Sequence, residues 1–139
     1  MADKRRLSKA DYRRLSEFRY HLRVFLAFSE HAADKAGLTT QQHQVLLAIK
    51  GSPSRDVSIR QLAERLGVKH HSAVGLIDRL AMRGLVKRRP GSADKRHVFI
   101  DLTPKAEAIL RRLSLAHRNE LRRLAPTLKK LLSQLEDDD

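Results

Sequence analysis

The chain has 139 residues, enough for one domain around a single hydrophobic core, and it contains no Cys. The absence of Cys excludes a disulfide framework, a Cys-ligated zinc site and regulation by thiol oxidation. A formal net charge of +13 favours a polyanionic partner, with nucleic acid ahead of an anionic membrane surface, while four Phe, two Tyr and no Trp disfavour single-stranded bases as the target.

The N-terminal segment gives no sign of an export signal. Residues 1–14 are basic and polar, and no apolar run in the chain approaches the roughly 20 residues that a membrane span requires. We therefore expect a cytoplasmic protein with no membrane partner. The basic segment itself is compatible either with a DNA-binding arm or with a solvated tail that only adds charge.

Four helices are predicted before Gly84. Apolar residues three or four apart predict the first helix over 8–31, and Gly37 ends it. Pairs of residues with capping-box spacing predict the starts of the second and third helices, and Gly67 ends the third. The fourth helix follows almost at once, over 70–83. The two capping pairs are Thr39 with Gln42 and Ser58 with Gln61.

The spacing of apolar residues changes after the fourth helix. Residues 85–89 and 97–102 are predicted to form two short strands, and the second of them alternates apolar side chains with a period of two. The segment between them is rich in turn-forming and charged residues. Two strands joined in this way predict a β-hairpin.

Two more helices are predicted after the hairpin. Thr103 caps the first, with Pro104 in its first turn, and Pro126 marks the start of the second. The predicted fold class is mainly α with a small β-hairpin wing. Its winged helix-turn-helix core covers residues 38–103, and the flanking helices cover 8–36 and 104–136.

The third and fourth helices have the spacing of a helix-turn-helix. Only Gly67, Val68 and Lys69 separate them, and in such a motif the N-terminal end of the second helix enters the major groove of DNA. Lys and His at this end are suited to donate to phosphates or to guanine. Val74 is suited to contact a thymine methyl, and Gly75 removes a side chain from the outer face. The fourth helix is therefore the predicted recognition helix.

The hairpin is predicted to act as a wing that enters the minor groove, where negative potential attracts Arg. Its first strand carries Lys87, Arg88 and Arg89, which alternate and therefore cannot all face DNA. Asp94 is interpreted as a residue that aims Arg96 by forming an ion pair with it.

Basic residues concentrate in this part of the chain. Residues 55–96 contain eleven Lys or Arg and four Asp or Glu, an excess that a solvated surface of mixed charge would not show. The predicted DNA-binding residues are Arg60, Lys69, His70, His71, Ser72, Val74, Gly75, Arg79, Lys87, Arg89, Asp94, Lys95 and Arg96.

Some of these residues have other interpretations. Asp78 and Arg79 are compatible either with base recognition or with an ion pair that braces the fourth helix to the wing. His70 and His71 point about 100° apart on a helix, which makes a poor chelating pair, so no metal site is predicted. The sequence has no phosphate-binding loop, HExxH motif or nucleophile elbow, which predicts a protein that is not an enzyme and has no cofactor.

Four short motifs carry a resemblance to a known family. They are LAERLGV at 62–68, VGLIDRL at 74–80, RGLV at 83–86, and DKR at 94–96 followed by residues 98–103. These motifs resemble the core of the MarR family of multiple-antibiotic-resistance regulators, and the resemblance extends over nearly the whole chain. Gly75 departs from the family, because many members have Arg there, so the sequence preference cannot be inherited.

The resemblance implies a two-fold homodimer built from the first helix and the last two, bound to a pseudo-palindromic operator and usually acting in repression. In many members a small aromatic or phenolic ligand weakens DNA binding from a cleft between the dimerisation and DNA-binding parts. Apolar stripes on the terminal helices agree with a dimer, because a monomer would expose a large apolar patch. The predicted interface residues are Leu15, Phe18, Leu22, Leu113, Leu121, Leu128, Leu131, Leu132 and Leu135.

The sequence thus predicts a double-stranded DNA-binding transcriptional regulator, a homodimeric repressor that a small ligand relieves if the effector response is retained. The alternative is an architectural or RNA-binding winged-helix protein with no effector response. Substitutions in the recognition helix separate the two, because a protein that recognises shape is indifferent to them.

Overall fold

The described part of the chain, residues 6–91 and 96–136 of a computed structural model, forms five helices and one two-stranded hairpin, which confirms the predicted fold class. The chain divides into two compact units. Met1–His31 and Leu115–Asp139 belong to the first, called the terminal unit, and Ala32–Ser114 forms the second, called the winged-helix unit. The elements are α1 (Lys9–Lys35), α2 (Thr40–Lys50), α3 (Ile59–Leu66), α4 (His70–Met82), β1 (Val86–Pro90), β2 (Val98–Leu102) and α5 (Pro104–Glu136).

Both predicted capping boxes form and fix the first residues of α2 and α3. The backbone N–H of Gln42 donates to Thr39 Oγ1 at 3.1 Å, and the N–H of Thr39 donates to Gln42 Oε1 at 3.0 Å. Ser58 and Gln61 exchange the same two bonds at 3.1 and 2.9 Å. Each box satisfies two backbone donors that the helix leaves without an internal partner, so the start of α3 is set locally by its sequence.

The turn of the helix-turn-helix depends on the backbone of Gly67. This residue has φ of 69°, a left-handed conformation that a residue with a Cβ adopts only at a cost. The N–H of Val68 then donates to the carbonyl of Ala63 at 3.0 Å, which closes the C-terminal end of α3. Two residues later α4 begins, with Lys69 in extended conformation at its N-cap.

The winged-helix unit has its core where α2, α3, α4 and the hairpin meet. In this unit α2 packs against α3 and β2, and α4 packs against α3 and β1. The backbone N–H of Ile100 in β2 also donates to the carbonyl of Val57 at 2.8 Å, which attaches the hairpin to the loop before α3. The largest fully buried side chains of the unit are Leu46, Ile77, Leu80, Leu85, Ile100 and Val45.

Leu113, one of the predicted dimer-interface residues, lies in the core of a single chain. Its side chain is 5% exposed and packs in the core of the winged-helix unit with Ala106 and Leu110. The apolar stripe of α5 runs through residues of both units. The periodic pattern of a sequence shows which helix face is apolar, but it does not show which part of the protein covers each residue of that face.

The prediction of two helices after the hairpin is wrong, because α5 continues without interruption through Pro126. Pro126 has no N–H for the carbonyl of Arg122 and usually ends a helix. Here its ring is exposed, where water can hydrate that carbonyl, and the apolar stripe continues on both sides of it at Leu124 and Leu128.

The terminal unit contains a small cluster of aromatic side chains between its parts of α1 and α5. His117 Nε2 lies 2.7 Å from the hydroxyl of Ser29, and its ring meets the edges of Phe25 and Phe28. Among the predicted interface residues of this unit, four leucines are exposed and the others are half-buried. The exposed ones are Leu15, Leu22, Leu121 and Leu132, and the half-buried ones are Phe18, Leu128, Leu131 and Leu135.

The burial of Leu113 leads to a stability prediction. Leu113→Ala should lower the free energy of unfolding by about 2–5 kcal/mol, because it leaves a cavity in the core. Leu47→Ala, at a leucine of α2 that is 48% exposed, is the matched control and should change it far less. Urea denaturation at several protein concentrations measures both. Equal losses for the two variants would contradict the assignment of Leu113 to the core.

Candidate nucleic-acid interface

The predicted recognition helix, α4, has one buried face and one exposed face. Ala73, Leu76, Ile77 and Leu80 are buried against the core. The four residues at its N-terminal end are all exposed, and its first turn has no acidic residue. Because the N-cap residue, Lys69, makes no side-chain capping hydrogen bond, the backbone N–H groups and the positive dipole of this end remain available to an anion. These four residues are Lys69, His70, His71 and Ser72.

Further along the outer face of α4, Gly75 makes room for an arginine. A Cβ placed on Gly75 would lie 3.4 Å from Nη1 of Arg79 and 3.6 Å from its Nη2, so the guanidinium extends back along the helix over the glycine. Arg79 is exposed, and Val74 beside it is half-buried. The outer face thus presents a guanidinium at the level of Gly75, although the residue itself contributes no side chain.

Positive charge belongs mostly to the winged-helix unit. Its sequence, residues 32–114, contains sixteen Lys or Arg and seven Asp or Glu. Arg60 on α3 is one of the predicted contacts, and its side chain is 85% exposed with Glu64 at 3.6 Å on the same helix. An ion pair this exposed holds neither partner firmly, so Arg60 can exchange the carboxylate for a phosphate.

The two strands of the hairpin pair antiparallel, and an ion pair connects them to α4. Arg88, which is opposite Ile100 in β2, pairs through Nη2 with Asp78 Oδ1. For Asp78 the structural interpretation is therefore confirmed, since its carboxylate braces α4 to β1. Lys87 beside it is exposed.

Arg89 is held by ion pairs with two carboxylates of the protein. Its Nε lies 2.9 Å from Asp101 Oδ2 on β2, and its Nη2 lies 2.8 Å from Asp56 Oδ1 in the loop before α3. The same guanidinium lies over the ring of Phe99, 5.4 Å from its centroid. The hydrogen bond to Asp56, followed by the one to Asp101, raises the pKa of the Arg89 guanidinium above its ordinary value. Sequence analysis predicted this residue as a DNA contact, and the structure gives it another set of partners.

Two predicted residues at the end of the wing, Asp94 and Lys95, lie outside the described residues, and with them the predicted ion pair between Asp94 and Arg96. Arg96 is described and exposed.

In the described ranges no group of three His, Cys, Asp or Glu is placed to hold a metal ion. Among those same residues, no helix has the length and apolar character needed to span a membrane.

The two carboxylates that bind Arg89 are not among the residues predicted from the sequence. The contact of Asp101 with Arg89 is predictable from the strand pairing. Arg89 is opposite Phe99, and Asp101, two residues further along the same strand, is the diagonal neighbour of Arg89. The contact of Asp56 is not predictable in this way, because Asp56 lies in a loop whose path over the hairpin depends on tertiary packing.

Comparison with known proteins agrees with this geometry. A sequence model of the MarR family matches residues 36–97, from the end of α1 to the residue before β2. The HTH-type transcriptional repressor YetL of Bacillus subtilis is 30% identical over 92 residues, which cover 66% of this chain and 55% of YetL. The chain spans about half the length of the curated relatives that it matches.

Solved structures share the fold. RV1404 from Mycobacterium tuberculosis superposes with a TM-score of 0.73 at 20% identity, over 99% of this chain and 97% of that one. A mutant of MepR from S. aureus, bound to an oligodeoxyribonucleotide, superposes with a TM-score of 0.70 at 17% identity, over 86% and 96% of the two chains. Residues 36–97, which contain the helix-turn-helix and most of the wing, thus match the MarR family, and the curated relatives that the chain matches are HTH-type transcriptional regulators.

Proposed function

We propose that this chain binds double-stranded DNA with sequence specificity and regulates transcription, with the N-terminal half of α4 in the major groove. The observation that carries this proposal is the exposed N-terminal end of α4, where four consecutive polar residues, 69–72, face solvent while the opposite face of the helix is buried. Because the buried face of α4 packs against the core of the domain, its exposed face can enter a groove without loss of that packing.

The dimensions and chemistry of α4 suit the major groove. Thirteen residues make a helix of about 20 Å, and the groove is about 12 Å wide. Lys69 and His70 can donate to phosphate or guanine acceptors, and Ser72 can donate or accept at a base edge. The guanidinium of Arg79 over Gly75 adds a second donor group one turn further along. Together they provide both phosphate contacts and base contacts.

The wing and α3 supply the remaining contacts of the proposal. Lys87 and Arg96 are exposed on the hairpin, and Arg60 is exposed on α3. Cations on a narrow hairpin suit the minor groove, and Asp94 and Lys95 remain part of this proposal. The likeness to a MepR mutant bound to an oligodeoxyribonucleotide supports the same general mode of binding.

The proposal extends to assembly and regulation. The exposed leucines of the terminal unit support a homodimer, since single chains seldom leave so many large apolar side chains in water. The relationship to YetL, a transcriptional repressor, supports repression from a pseudo-palindromic operator. Relief by a small aromatic or phenolic ligand and a cytoplasmic location rest on resemblance to the family.

The recognition helix gives the first test of function. Ser72→Ala with Val74→Ala should change the preferred sequence selected from a library of random duplexes, with a loss of roughly 1–3 kcal/mol in discrimination at the contacted positions. Ser133→Ala, an exposed serine of α5, is the control and should leave the preference unchanged. If the unaltered chain prefers no sequence over random DNA, the proposed function is wrong. An unchanged preference in the double variant would favour the architectural or RNA-binding alternative.

The homodimer has its own test. Leu132→Asp places a carboxylate in the proposed apolar interface and should convert the dimer to monomers, because a buried unpaired charge is strongly unfavourable. Leu47→Asp is a closely matched control, since both leucines are 48% exposed but Leu47 lies on α2 in the other unit. Light scattering across a concentration series gives the mass of each variant. A dimer mass retained by Leu132→Asp would contradict this interface.

A further inference from the structure

We propose that Arg89 is a positioning residue, which fixes the hairpin against the loop before α3 and so sets the angle at which the wing meets DNA. On this view the Arg89 side chain does not contact DNA. The inference deepens the proposed function and rests on it, because the wing has an angle to set only if the chain binds DNA.

The contacts of Arg89 reach three separate parts of the winged-helix unit. Its Nε bonds to Asp101 on β2, and its Nη2 bonds to Asp56 and lies 3.5 Å from the carbonyl of Arg55 in the loop before α3. Its planar face lies over Phe99 of the opposite strand, whose ring stacks in turn with that of His97. A guanidinium is rigid and directs its donors in fixed directions, so these contacts define the position of the loop relative to the strand.

A backbone bond attaches the same loop to the same strand. The N–H of Ile100 donates to the carbonyl of Val57 at 2.8 Å, next to the ion pair between Arg89 and Asp56. Two adjacent attachments restrain rotation, which one attachment alone would allow. A two-stranded hairpin is marginally stable by itself, so contacts of this kind decide how it projects from the domain.

The local charge argues against contact between Arg89 and phosphate. One guanidinium with two carboxylates has a net charge of −1, and the side chain is only 26% exposed. The Nε and Nη2 donors of Arg89 already bind Asp101 and Asp56, so a phosphate at this guanidinium would lie close to two carboxylates that repel it. Lys87, two residues earlier on the same strand, is exposed and is a better donor to phosphate.

The two possible roles of Arg89 predict opposite effects when its carboxylate partners are neutralised. If Arg89 contacts DNA, Asp56→Asn and Asp101→Asn release it and remove negative charge, so DNA affinity rises. If Arg89 positions the wing, each substitution loosens the hairpin, and affinity for the selected operator falls by roughly two- to fivefold, with a larger fall in the double variant. Asp34→Asn, an exposed carboxylate in the same unit, is the matched control for loss of charge and should not lower the affinity.

Variants of Arg89 provide a second and independent readout. Arg89→Lys keeps the charge but loses the guanidinium geometry that binds Asp56 and Asp101 at the same time. If the residue positions the wing, this variant should weaken DNA binding about as much as Arg89→Gln does. Neither should change the slope of log affinity against log salt, because no phosphate contact is lost. Lys87→Gln is the comparison, and it should reduce that slope by about one.

Fluorescence anisotropy with the selected duplex, over a series of salt concentrations, measures every variant. Thermal unfolding of each variant confirms that it is folded at the assay temperature. If an Arg89 variant does not fold, Asp56→Asn carries the test, because that residue is exposed in a loop. Higher affinity in Asp56→Asn and Asp101→Asn, or a reduced salt slope in Arg89→Gln, would overturn the inference. Either result would leave the proposed function intact, which fails only if the unaltered chain has no sequence preference.

Discussion

Burial of Ile77 and Leu80 beneath α4 is the constraint on which the rest of the winged helix depends. Both side chains are inaccessible to solvent. On a helix, the direction of every other side chain follows once one face is fixed. The residues of the first turn and the guanidinium of Arg79 therefore point outward because the core holds the opposite face. The capping box of α3 and the left-handed Gly67 serve the same end, since they fix where α4 begins.

The ion pairs of the hairpin contribute to orientation more than to stability. Arg88 with Asp78 and Arg89 with its two carboxylates are all partly exposed, and pairs of this kind add little to the free energy of unfolding. Their geometric effect is larger, because each connects the hairpin to a different neighbour, α4 in one case and the loop before α3 in the other. A small energetic term is enough to select one orientation of a hairpin whose own pairing is weak.

Much of the fold could be predicted from the sequence, because local interactions determine it. The capping boxes and the strand alternation are properties of short segments, and each predicted element of the winged-helix unit is present. The differences between prediction and structure concern longer-range relations. Leu113 and Pro126 have the same local pattern whether they lie in a core, at an interface or at a helix boundary, and only tertiary packing distinguishes these cases. The site follows the same rule: the exposed end of α4 is predictable from periodicity, whereas the pairing of Arg89 with Asp56 is not.

The pairing of Arg88 and Arg89 also changes what the net charge means. Residues 55–96 contain eleven cations; among those that the structure describes, Arg88 and Arg89 are bound to three carboxylates of the protein, and Arg60 lies 3.6 Å from Glu64. Counterion release upon DNA binding depends on the phosphates that are neutralised, not on the formal charge of the domain. A basic composition therefore indicates the class of partner. Which cations contact that partner, and which instead stabilise the protein, depends on the cations that the acidic residues bind. In this chain Asp56, Asp78 and Asp101 engage Arg88 and Arg89, so these two cations serve as support.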